Sequence, residues 1–108
     1  MKALHTLRFV TEATKTLTNY QNLIANAEDF SKARSAARQM LGYIDCLITF
    51  NNTMICFENN DFTGELGEVI DDWIASVYDT LANKAIETKQ DSDTVAKLLS
   101  KRDEHMSI

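Results

Sequence analysis

From residue 7 onward, apolar side chains return at roughly every third or fourth position. Leu7, Val10, Leu17, Tyr20 and Ile24 follow at intervals of three, seven, three and four, with Ala13 and Thr14 in the gap. A helix turns about 100° per residue, so these positions share one face, while Arg8, Glu12, Lys15 and Asn22 lie on the others. The spacing predicts a first helix over residues 2–27, ended by the polar residues Asn26, Glu28 and Asp29.

Ser31 is a residue type whose hydroxyl caps a helix start. Beyond it Ala33, Ala37, Met40 or Leu41, Ile44, Leu47 and Ile48 recur at threes and fours. A second stripe, Tyr43, Leu47, Phe50, Met54 and Phe57, keeps a 4-3-4-3 rhythm. Two stripes make a wide apolar face, suited to a central helix or to one shared with another subunit. A β-hairpin turning at Asn51-Asn52 competes for residues 48–57, because Asn tolerates left-handed turn conformations. That hairpin would have no further strand to join, and an isolated hairpin is marginal in water.

Asn59, Asn60 and Asp61 break the pattern. Thr63 can cap a third helix, with Glu65 and Glu68 in its first turns, where the helix dipole favours carboxylates. Its stripe is Leu66, Val69 or Ile70, Trp73, Val77, Leu81 and Ala85, which places Trp73 in the core. Residues 88–93 form a polar linker, and Asp93 can cap a short last helix that turns Val95, Leu98, Leu99 and Met106 inward. The expected fold is therefore all-α: a small bundle of three long antiparallel helices plus a short C-terminal one, in a single domain over residues 1–108.

Composition narrows the alternatives. The 108 residues include no proline and three glycines, which leaves few of the turns that β-domains require. Gly42 lies within the second helix, where glycine costs roughly 1 kcal/mol against alanine. Close approach of a neighbouring helix is the expected compensation, and a helix break there is the alternative. Cys46 and Cys56 are ten residues apart. On one helix that is about 15 Å of rise, beyond the roughly 7 Å a disulfide spans, so both are expected as buried, reduced thiols. No apolar run is long enough to cross a bilayer, and Arg8 and Glu12 interrupt any export-type apolar segment. A cytoplasmic setting is the expectation.

Charge changes the picture more. The net charge is −5, but residues 1–38 hold six bases and three acids, and residues 84–108 hold five of each. Residues 39–83 hold eight acids and not one Lys or Arg. Within that stretch Glu65, Glu68, Asp72 and Asp79 fall along one side of the third helix, with Asp61 and Asp71 close to the line. A solvated face accounts for such a strip. The functional reading is a docking surface for a basic protein partner, with Tyr78, which lies off the apolar stripe, as a contact residue.

The string Gly64-Glu65-Leu66-Gly67-Glu68-Val69-Ile70-Asp71-Asp72 resembles part of the carboxylate motifs of all-α nucleotide pyrophosphatases of the MazG type. The resemblance spans nine residues. It implies Mg²⁺ held by carboxylates of neighbouring helices against a triphosphate, a hard cation suited to oxygen ligands. Glu65 and Glu68 match one half of that pattern. For the other half the second helix offers only Asp45, and Glu87 and Asp91 further on have a different spacing.

Other chemistry is sparse. His5 and His105 lie near opposite ends, away from the cysteines, and are expected at the frayed surface. There is no phosphate-cradling glycine loop and no nucleophile in a tight glycine turn with histidine beside it. Lys32, Arg34 and Arg38 form a small basic patch open to a local anion or acidic contact, but three bases are a poor footprint for duplex nucleic acid. No metal site or cofactor is expected. The sequence thus reads as a non-enzymatic helical protein that binds another protein, in the manner of a regulator, an immunity protein or a phage-encoded inhibitor. It is expected to be a homodimer seamed by Tyr43, Phe50, Met54 and Phe57. The alternatives are the Mg-dependent pyrophosphatase and a protein holding a nucleotide or other small molecule at a subunit seam.

Overall fold

The computed structural model describes the backbone of residues 2–58 and 62–106 and the side chains of residues 11–50 and 70–106. Four helices follow in order: α1 Lys2–Ala25, α2 Phe30–Glu58, α3 Phe62–Glu87 and α4 Ser92–Glu104. No strand occurs among the described residues. The hairpin alternative for residues 48–57 is overturned, since that stretch is the last part of the continuous helix α2. A helix satisfies its own backbone groups, and no strand stands nearby to reward the other choice.

The α2 face that packs inward carries Ala33, Ala37, Met40, Ile44 and Leu47. Opposite it stand Ala13, Leu17 and Ile24 of α1, and Ile70, Val77 and Leu81 of α3, in one continuous cluster. These are the positions the three- and four-residue spacing selects, and Ile24, Met40 and Val77 are wholly buried. Trp73 is half-buried against the same cluster. The three long helices pack pairwise, whereas among the described residues α4 packs mainly against α3. No residue of α4 is fully buried, although Leu98 lies against the core cluster. The molecule extends 49 Å along its longest axis, with a radius of gyration of 15.3 Å, against about 13 Å for a compact domain of this length.

Both observed caps differ from the expected ones. Asp29, not Ser31, starts α2: its Oδ1 accepts the Lys32 N–H at 2.8 Å. The helix then begins at Phe30, which is partly buried against the core cluster. Asp91, not Asp93, starts α4, accepting the Thr94 N–H at 2.8 Å. Asp93 lies inside the first turn, where its charge suits the positive helix end. Thr63 likewise lies inside α3, which begins at Phe62.

Two further expectations are corrected. Gly42 faces open space, with nothing within 4 Å of a Cβ built on it, so no neighbouring helix exploits its size. Cys46 is exposed. The cause is shared: Gly42 and Cys46 each stand two residues, about 200° of rotation, beyond the buried Met40 and Ile44, which turns them outward. The side chain of Cys56 lies outside the described residues.

The connection from α3 to α4 is tightly tied. Gln90 N–H donates to Ala85 C=O at 2.9 Å and Lys89 N–H to Ile86 C=O at 3.1 Å. Lys89 takes the left-handed conformation, φ 60°. This is the Schellman arrangement that closes many helices, with lysine at the position glycine usually fills. It turns the chain so that α4 lies back along α3.

Candidate functional site: the face between α3 and α4

The acidic side of α3 meets the basic last turn of α4. Arg102 Nη1 donates to Asp79 Oδ1 at 2.7 Å, and the guanidinium also bonds Asp103 of its own helix at 3.1 and 3.2 Å. The hydrogen bond to Asp79, and then that to Asp103, hold Arg102 as a cation above its ordinary range. One turn on, His105 Nδ1 lies 3.2 Å from Asp71 Oδ1, and its ring stacks on Tyr78 with centroids 6.5 Å apart and planes inclined by 11°. His105 is therefore not a frayed surface histidine. It is half-buried, because the helix before it returns along α3 and sets its ring on Tyr78.

Beside the Asp79–Arg102 contact runs an open groove of about 430 Å³, with Asp72, Ala75, Ser76 and Asp79 on α3, Arg102 on α4 and Met106 just beyond it. Asp72 is exposed there and has no charged partner among the described residues. Ser76, on the groove wall, is fixed from behind: the Gln21 side-chain amide on α1 donates to Ser76 Oγ, and to Thr80 Oγ1 at 3.2 Å. This part-buried link ties α1 to the helix that builds the groove.

Of the residues the sequence singles out on the strip, Asp72, Tyr78 and Asp79 come together on this face. Glu65 and Glu68 lie in the first turns of α3, and their side chains fall outside the described residues. The strip is not uniformly free, since Asp79 carries Arg102 and Asp71 carries His105. Arg102 is a site residue that the spacing does not disclose. The only local hint is the basic last turn of α4, Lys101 and Arg102.

The expected dimer seam divides as well. Tyr43 is half-buried, packed on the core and against Tyr20 with ring centroids 6.2 Å apart. Phe50 is 39% exposed. Met54 and Phe57 have side chains outside the described residues. Asp45, the α2 carboxylate that the pyrophosphatase resemblance would need, is exposed. Among the described residues no three His, Cys, Asp or Glu side chains converge where a metal ion could sit. No helix among them is long and apolar enough to cross a membrane.

No protein-family model, curated protein or solved structure matches this chain.

Proposed function

We propose that the chain is a non-enzymatic binding protein whose acidic α3 face receives a basic protein partner, as a cytoplasmic regulator or an inhibitor of the immunity or phage type would. The observation that carries this reading is the groove beside Asp79. Arg102 shows how the face takes a guanidinium, and Asp72, on the same wall, is left without one among the described residues. A partner's arginine or lysine entering the groove would meet Asp72 and lie beside Met106, which is 51% exposed. Charge-assisted contacts of this kind fix orientation and raise association rates more than they add affinity.

The reading takes the three long helices as an antiparallel trio with α4 folded back. Short connections at residues 26–29 and 88–91 support that arrangement. It also takes the protein as a homodimer joined on the α2 face that carries Phe50.

The test is affinity capture from the native cell with the wild-type chain and with Asp72→Lys, at low and at physiological salt. The expected result is a captured protein with a basic surface, held less well as salt rises and lost with Asp72→Lys at unchanged helicity. A captured set that Asp72→Lys leaves unaltered overturns the reading.

A further inference from the structure

A second cleft, of about 650 Å³, opens at the start of α2, with Ser31, Arg34, Ser35 and Arg38 on one wall and Gln90 of the α3–α4 connection on the other. We propose that it is an anion site for a phosphoryl group, held between the guanidinium groups of Arg34 and Arg38. In a chain of net charge −5 these two arginines are one helical turn apart on the same face, and neither has a carboxylate partner among the described residues. Arg34, an exposed residue, stands over the Phe30 ring, 6.0 Å from its centroid, at the cleft's wall.

Of the two acids nearby, Glu28 is paired with Lys32 at 3.1 Å. Asp29 itself lines the cleft, with Oδ1 taken by the Lys32 N–H, and among the described residues is the one carboxylate the two arginines outnumber there. That bond takes the Lys32 N–H out of anion recognition. The donors are side chains: two guanidinium edges and two serine hydroxyls, with the Gln90 amide, which already leans on Thr88 at 3.5 Å, closing the opposite wall. A carboxylate has about four lone-pair sites, fewer than these donors can fill. A phosphoryl group presents three terminal oxygens, and arginine forks match its geometry two bonds at a time. The volume lies within the ~300–1,000 Å³ of small-molecule sites, so the cleft admits a phosphate ester as well as the free ion. This site stands apart from the α3–α4 groove and does not depend on it.

The test is a titration of the full chain with inorganic phosphate and, separately, with adenosine monophosphate, against sodium chloride at matched ionic strength. Backbone amide and arginine Nε–H signals report binding. Saturable shifts confined to residues 30–38 and Gln90 are expected. Equal response to both anions identifies the free phosphoryl group as the ligand, and response to the ester alone identifies an ester whose remainder fills the cleft. The variant Arg34→Gln/Arg38→Gln, on the exposed surface and checked for unchanged helicity, should bind at least about tenfold more weakly. Arg38→Lys should fall between, keeping the charge and losing the fork. Shifts no larger than those of chloride for both anions overturn the proposal, and so does full binding by the folded double variant.

Discussion

Asp79 on α3 accepts a 2.7 Å hydrogen bond from Arg102 on α4, and 23 residues separate them in the chain. The contact has a double consequence. It fastens a helix that buries none of its residues fully, and it fills one of the carboxylates that a basic partner would otherwise reach. Arg102→Ala should therefore loosen α4 and free Asp79 together. The expected result is amide exchange a few-fold faster in α4 than in wild type, with α2 unchanged, because a partly exposed ion pair holds only a modest share of stability. Capture of a basic partner should improve in the same variant. Unaltered exchange in α4 would show that the remaining contacts, Leu98 on the core and His105 on Tyr78 and Asp71, hold it.

Gly42 should be replaceable at a gain. It lies in the interior of a 29-residue helix, and a Cβ there meets nothing within 4 Å. Gly42→Ala removes backbone freedom from the unfolded chain without crowding the folded one, and should raise stability by about 0.5–1 kcal/mol. Thermal or urea unfolding of the two proteins side by side measures it. A loss of stability would mean that the outward face of α2 is covered in solution.

Lys89 offers an independent case. Its φ of 60° is a conformation that costs an L-residue roughly 1 kcal/mol and costs glycine almost nothing. The hydrogen bonds from Gln90 to Ala85 and from Lys89 to Ile86 are backbone bonds, so they survive the change. Lys89→Gly should raise the unfolding midpoint, by a margin reduced somewhat by the extra freedom glycine gives the unfolded chain.

Much of this fold was legible in local spacing, and the reason is physical. Burial on a helix repeats every three or four residues, so Ile24, Ala37, Ile44, Val77 and Leu81 identify themselves wherever the chain is helical. The same phase, carried two residues on, turns Gly42 and Cys46 outward; the Met40–Ile44–Leu47 stripe already contained that. Cap choice is different in kind. Asp29 and Ser31 are both good caps, and the choice between them goes with the packing of Phe30 on the core, a tertiary fact. The pairing of Asp79 with Arg102 and of Gln21 with Ser76 depends on which faces meet, and periodicity within one helix carries no information about its neighbour.

The capping carboxylate of α4 gives a pH signature. The Thr94 hydroxyl, then its backbone N–H, with Lys97 adding a smaller attraction, holds Asp91 below its ordinary value of 3.8. A carboxyl depressed on folding contributes stability that is fully present above the unfolded value. That contribution is lost as pH falls through the lower, folded one. Between pH 7 and 5 the cap should thus be insensitive to acid, and below about pH 4 the Thr94 amide should lose its bond and α4 should fray ahead of the core. Asp91→Asn keeps a capping oxygen without the titration, so its Thr94 signal should stay flat over the same range. A matching acid transition in that variant would place the titrating group elsewhere.

The proposed dimer rests on α2. Tyr43 is turned inward onto Tyr20 and the core, so Phe50 is the seam residue left exposed among the described ones. The elongated form, 15.3 Å in radius of gyration, leaves much surface for its volume, and small bundles commonly add burial by association. A single aspartate in the middle of an apolar seam places a charge where water is excluded, a heavier cost than a trimmed contact. Phe50→Asp should therefore give a clean monomer in sedimentation equilibrium at micromolar concentration while wild type sediments at twice that mass. The helical signal per residue should stay within a few per cent if the bundle folds without its partner. A wild-type chain that is monomeric under the same conditions removes the seam, and leaves the α3–α4 groove untouched as the candidate binding face.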